Sequence, residues 1–237
     1  MNSKNTLSKQ RNYYNETVAS NFDKTRKNSN HLYKIETIEG FFEKYCKKKS
    51  NCRVLELGGG TGLHAKHFMD KENACVEDFI LSDLSQDMLK IAKKRMSKHK
   101  DKVKFMSGAA ENFRLDEQVD CIYMSGTMHH FTAPKQAIKN CKTWLSEQGI
   151  IIICEPIITN PYAWSRVIFK SEEWGQFVVT PRNIQNWLVA NGYEIIEKRY
   201  LHYRSNNKCF RFLLELEKYP IMNWSAVMFA VVARKVI

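Results

Sequence analysis

Short apolar runs, set between stretches with helical spacing, organise most of this chain. Ile35, Ile38, Phe41, Phe42 and Tyr45 fall three and four apart, as on one face of a helix. A polar stretch at 28–30 divides residues 13–46 into two predicted helices, behind a polar tail at 1–12. From residue 53 the pattern changes. Strands over 53–57, 79–82, 103–106, 119–124 and 149–154 alternate with helices over 61–71, 85–97 and 135–145, the second of these opened by Ser85 as N-cap. The fifth strand is apolar at nearly every position, which predicts cover on both faces. Strands alternating with helices predict an α/β fold, a mostly parallel sheet between two helical layers. Regularity then lapses into an aromatic segment at 156–180, which carries Tyr162, Trp164, Phe169, Trp174 and Phe177. Thr180 and Pro181 supply an N-cap and a first-turn proline for a helix over 182–191, and Gly192 ends it. Two late strands, 193–202 and 224–233, flank a loop or helix around 210–220.

At 237 residues the chain fits one domain with an extension. With 43% hydrophobic and 26% charged residues and only ten glycines and five prolines, it reads as an ordinary soluble globular protein. No apolar run approaches the ~20 residues of a membrane-spanning helix. Residues 1–11 lack the apolar stretch of a signal peptide, so the expected compartment is the cytoplasm. Seven scattered cysteines without a Cys-x-x-Cys pair suggest neither a zinc knuckle nor a disulfide framework. The net charge of +12 is uneven: residues 1–50 carry +6 and residues 90–104 carry +7, which leaves −1 for the rest. Such patches attract nucleic acid, anionic lipid or an acidic substrate, and they also arise as plain solvated surface.

The sharpest chemical signal is Val54-Leu55-Glu56-Leu57-Gly58-Gly59-Gly60-Thr61-Gly62. Glycines after a strand let the backbone turn tightly and approach a ligand, and the following helix N-terminus offers free amides. A nucleotide-like ligand is implied. A dinucleotide loop wants Gly or Ala at position 63, where this chain has Leu63. The Gly-Lys-Ser/Thr of a phosphate-cradling loop is also missing. What remains is acid-x-Gly-x-Gly-x-Gly, set by Glu56, Gly58, Gly60 and Gly62.

With three further motifs in order, the chain resembles the class I S-adenosylmethionine-dependent methyltransferases, in particular their ubiquinone/menaquinone-biosynthesis-like (type 11) small-molecule branch. Leu81-Ser82-Asp83-Leu84-Ser85-Gln86-Asp87-Met88-Leu89 is similar to the family run whose acid binds both ribose hydroxyls, a role that falls to Asp83. Gly108-Ala109-Ala110-Glu111-Asn112-Phe113 resembles the loop around adenine, although Ala109 replaces its usual acid. Ser125-Gly126-Thr127-Met128-His129-His130-Phe131 is similar to the end of the family's fourth strand. Tyr13-Tyr14 and Phe22-Asp23 resemble an N-terminal segment that folds over the cofactor, with Tyr14 against the sulfonium and Arg26 near the cofactor carboxylate.

The resemblance implies a Rossmann-like, seven-stranded, mostly parallel sheet with helices on both faces and an N-terminal helical lid. It gives one domain over 1–237, with a lid at 1–48, a cofactor half at 49–155 and an acceptor half at 156–237. S-adenosylmethionine is the implied cofactor, held by Tyr14, Glu56, Gly58, Gly59, Gly60, Gly62, Asp83, Leu84, Ala110, Glu111 and Ser125. His130 is the candidate base, with packing of its loop as the alternative, and His129 reads as structural. The acceptor is a small apolar or aromatic metabolite, or a lipid-like one that implies peripheral membrane contact. Its selectivity is placed in Glu155-Pro156-Ile157-Ile158-Thr159-Asn160-Pro161 and the aromatic segment beyond.

No metal is expected: His64 and His67 stand three apart on a helix without an evident partner. Two other readings stay open. A nucleic-acid methyltransferase would explain the charge, but the chain has no Asp/Asn-Pro-Pro-Tyr run and no Pro-Cys loop, and Lys90, Lys94 and Lys98 read as the solvent face of a helix. The other is a cofactor-binding subunit that activates a separate enzyme.

Overall fold

The computed structural model describes residues 23, 29–46, 51–72, 75–158, 164, 167–168, 171–202, 223 and 225–236. Their elements are α1 (Ser29–Tyr45), β1 (Cys52–Leu57), α2 (Leu63–Glu72), β2 (Val76–Asp83), α3 (Gln86–Arg95), β3 (Val103–Ser107), β4 (Val119–Ser125), α4 (Pro134–Trp144), β5 (Leu145–Pro156), α5 (Pro181–Ala190), β6 (Tyr193–Leu201) and β7 (Met228–Lys235). Short 3-10 turns form at Ser97–His99, Met128–His130 and Ser171–Phe177. Tyr14, Arg26 and the segment around 210–220 lie outside the described residues.

The strands form one sheet in the order β3-β2-β1-β4-β5-β7-β6. β1 to β5 pair in parallel, and β7 runs antiparallel to both β5 and β6. Side chains alternate between two cores, as a period of two requires. Leu55, Leu57, Ile122, Met124, Ile151 and Ile153 pack under α4 and α5, whereas Val54, Phe79, Leu81, Tyr123 and Ile152 pack under α1, α2 and α3. The run 149–155 is buried throughout, as its composition predicts.

Most expected elements form with ends shifted by a few residues, and two departures are instructive. β5 starts at Leu145, inside the predicted helix, and its first residues Ser146, Glu147 and Gln148 are not buried, so the apolar pattern missed them. α1 starts at Ser29, one residue into the stretch read as a break, and the helix expected before that stretch lies outside the described residues. Ser85 caps α3 by accepting from Met88 N–H, and Thr180 caps α5 by accepting from Asn183 N–H. Lys90, Lys94 and Lys98 are exposed while Leu89, Ala92 and Met96 are buried, the solvent-face reading.

Strand order reverses between β1 and β4, the place where open α/β sheets take their ligands. The register brings the carboxyl ends of β1, β2, β4 and β5 level there, with Leu57 opposite both Ser82 and Met124 and with Ser125 opposite Cys154.

Candidate active site

At the end of β1 the chain turns through Gly58, Gly60 and Gly62, all with positive φ, before α2 begins at Leu63. Two close approaches explain why larger residues fail here. A Cβ on Gly58 would stand 1.9 Å from Thr127 Oγ1, and one on Gly59 would stand 2.7 Å from the Leu81 side chain. The loop therefore leaves its backbone facing a cleft of about 980 Å³, part of it open to solvent.

Asp83 ends β2 against this loop. Its Oδ2 accepts from Gly60 N–H and its Oδ1 from Ser85 N–H, each at 2.8 Å. Burial raises its pKa above the ordinary carboxyl value, opposed by the N–H groups of Ser85, Gly60 and Leu84. Each oxygen keeps capacity for one more donor, which suits a vicinal diol. Glu56, in β1, is fully buried, and its Oε2 has no hydrogen-bond partner among the described residues. Burial pushes its pKa up to about 8, against the pull of Tyr123 and Lys34. Ser125 Oγ is likewise buried without a partner among the described residues.

Of the described residues in the expected cofactor set, Glu56, Gly58, Gly59, Gly60, Asp83, Leu84, Ala110, Glu111 and Ser125 line this cleft, and Gly62 does not, lying against Ala92. Glu111 Oε1 accepts from Thr132 N–H at 2.6 Å and Ala133 N–H at 3.0 Å and so ties the loop after β3 to the loop after β4. Asp23 hydrogen-bonds Thr61 Oγ1 at 2.7 Å and pairs with Arg95, which binds this N-terminal residue to the glycine loop.

His31 and Lys34 of α1 also line the cleft, and sequence reasoning missed both. The signal was faint: Lys34 interrupts the apolar stripe one turn before Ile38 and is buried to 6% exposure. His64 and His67 do not act together. His64 turns into the cleft, whereas His67 pairs with Glu39 at 2.7 Å.

His130 lines the cleft from the turn after β4. Its neighbour His129 points away from the ligand space into a buried ion network. His129 Nδ1 meets Glu155 Oε2 at 2.6 Å, and Nε2 meets Glu173 Oε2 at 3.2 Å. Burial opposes a charge on this ring, but Glu155 and Glu173 outweigh it and raise its pKa to about 9. Glu155 also accepts from Thr127 and Met128 N–H, both at 2.9 Å, and so caps the turn. Glu155 thus holds the His129 turn in place.

The donor set fits an adenosyl cofactor: a glycine cradle which side chains would fill, an acid at the next strand end and unpartnered buried Glu56 and Ser125 oxygens. Residues 54–149 match the family described as a methyltransferase domain. This stretch, from β1 to the start of the buried part of β5, is a methyltransferase domain.

A methyltransferase-family relative, the malonyl-[acyl-carrier protein] O-methyltransferase of Bacteroides thetaiotaomicron, is 27% identical over 97 residues, 41% of this chain and 36% of its own. The chain spans 36% or less of the length of the curated relatives it matches. Among solved structures, the N-methyltransferase NodS of Bradyrhizobium japonicum, in complex with S-adenosyl-L-homocysteine, superposes with a TM-score of 0.63 at 13% identity, covering 88% of this chain and 89% of its own. The [4+2]-cyclase SpnF superposes with a TM-score of 0.63 at 17% identity, covering 85% and 81%. The methyltransferase fold is thereby assigned. Among the described residues, no helix is long and apolar enough to cross a membrane.

Proposed function

We propose that this methyltransferase carries an activated methyl group to a small apolar or aromatic acceptor, with His130 as the base where the acceptor must lose a proton. The observation that carries the reading is the shared cleft: the glycine loop, Asp83 and His130 all face one cavity at the sheet's reversal point. S-adenosylmethionine supplies an electrophilic methyl on a sulfonium, whose departing thioether is neutral and needs no acid. The protein's task is then mainly positioning. Asp83 and the glycine-loop amides fix the nucleoside end, and alignment of this kind is worth about 7–11 kcal/mol of a bimolecular barrier. His130 accepts the acceptor's proton at the open side of the cleft.

An apolar acceptor is supported by Trp174 and Phe177, which stand exposed on the segment that contacts the His129 turn. The type 11 branch is compatible with the domain match, and the malonyl carrier substrate named for the Bacteroides relative, whose acceptor is a carboxylate rather than an apolar group, is a class worth including. The cyclase neighbour is the reason to test transfer itself, since this fold also frames other chemistry. The experiment is a radiolabelled methyl-transfer panel of phenols, amines, prenylated compounds, acyl carriers and RNA. We expect transfer to a small apolar acceptor. Cofactor binding with no transfer to any class would favour the activating-subunit reading.

A further inference from the structure

The turn at Met128–His130 is clasped from two sides by carboxylates that arrive from distant parts of the chain. Behind it, the fully buried Glu155 receives Nδ1 of His129. In front, Glu173 of the Ser171–Phe177 segment meets Nε2 of the same ring. An imidazole can donate at both nitrogens only as the cation, so one imidazolium bridges two carboxylates. A separate feature marks the same contact as close-fitting. A Cβ on Gly175 would lie 1.6 Å from the His129 carbonyl oxygen, so the segment's backbone rests directly on the turn, where any side chain would push it off. Gln176 steadies Glu173 by donating to it at 2.5 Å.

We propose that the imidazolium of His129, held between Glu155 and Glu173, seats the 171–177 segment on the turn that presents His130 to the cleft, which makes Glu173 a positioning residue for the acceptor side of the site. The inference rests on the proposed function only in taking that cleft as the place of transfer. His130 follows His129 directly, and the two rings stand 4.0 Å apart, so a shift of the turn moves His130 with it. The segment also carries the exposed Trp174 and Phe177.

The groups that face His129 are Glu155 from β5, Glu173 from the segment and His130 beside it. Their charges set the pH window. His129 keeps its proton up to about pH 9 in the folded chain, above its ordinary 6.5. Burial opposes the charge on Glu173, but His129 and its other partners hold its pKa down to about 2, below its ordinary 4.5. The clasp is therefore complete near neutrality and fades as pH rises through about 9.

The test is hydrogen exchange on the full chain, expressed as protection relative to intrinsic rates, for wild type, Glu173→Gln, Glu173→Asp and Gly175→Ala. Glu173→Gln should lose about tenfold or more of the protection over 171–179, as expected when a charge-assisted contact goes, and β1 and β4 should be unchanged. Glu173→Asp should recover part of it, and Gly175→Ala should mimic the loss. Wild-type protection should fall above pH 9 while that of Glu173→Gln stays flat. In calorimetry, S-adenosylhomocysteine affinity should be the same in wild type and Glu173→Gln, while kcat for any acceptor falls in the variant. Unchanged protection in Glu173→Gln, or protection without pH dependence in wild type, overturns the proposal whatever the activity. Stoichiometric zinc that survives dialysis in wild type and is lost in Glu173→Gln would overturn it too, by replacing the bridging proton with a metal. Failure of wild type to bind S-adenosylhomocysteine would instead strike the proposed function and leave the clasp standing.

Discussion

Asp83 and Glu56 are both carboxylates at strand ends, yet their surroundings give them opposite tasks. Asp83 is met by two backbone N–H groups and keeps free lone pairs toward the cleft, so it is built to bind as an anion. Asp83→Ala should weaken S-adenosylhomocysteine binding by about 1.5–3 kcal/mol, roughly ten- to a hundredfold, in calorimetry. Glu56 lacks a partner for Oε2, and burial raises its pKa to about 8, so the folded chain without ligand holds a proton that the unfolded chain releases near 4.5. Where the folded state binds more protons, stability falls as pH rises. Denaturant unfolding should therefore show a loss of stability across about pH 5–8 that is absent from Glu56→Gln. Equal slopes in the two proteins would remove Glu56 as its source. Both acids were legible in the sequence because each sits beside a glycine or at a strand end. Glu173 and Lys34 were not, because neither has a local motif: they reach the site by tertiary packing of a segment and a helix whose own sequences advertise only aromatic content and a helical stripe.

Among elements, the β1–loop–α2 unit was the most legible, because a period-two strand, a glycine run and a helix start all point to one turn. The structure adds the reason for glycine at position 58, where a left-handed φ of 70° meets the Thr127 side chain from the neighbouring strand loop. Gly58→Ala should combine the strain of a left-handed alanine, about 1–2 kcal/mol, with displacement of Thr127. We expect at least a tenfold loss of S-adenosylhomocysteine affinity, with circular dichroism retaining the folded spectrum. Thr180 is a simpler case. Its hydroxyl accepts from Asn183 N–H at the start of α5, so Thr180→Ala should cost about 1 kcal/mol and lower Tm by roughly 2–4 °C without altering ligand binding. The expected break at 28–30 meets the start of α1 at Ser29, and the helix expected before it lies outside the described residues.

At the scale of the whole molecule, the +12 charge and the cleft belong to different parts of the surface chemistry. The cleft's described lining holds three carboxylates, Glu56, Asp83 and Glu111, a glycine loop and one lysine, Lys34. The dense basic stretch lies instead along α3 and the edge strand β3, where Lys90, Lys93, Lys94, Lys98, Lys100 and Lys104 are exposed. Part of that charge is already neutralised, since Lys90 pairs with Asp87 at 2.8 Å and Lys104 with Asp78 at 3.3 Å. If nucleic acid were the acceptor, each neutralised phosphate would release counterions, and apparent affinity would fall steeply between about 50 and 200 mM salt. An apolar acceptor makes no such exchange. KM for a small acceptor should therefore change less than about threefold over that salt range, because surface charges are largely screened at about 8–10 Å. Charge reversal at Lys94 and Lys98 to Glu should leave kcat/KM for that acceptor within the same margin. A steep salt slope, together with a tenfold or larger loss on charge reversal, would move the acceptor from the cleft alone to the basic edge and make nucleic acid the substrate.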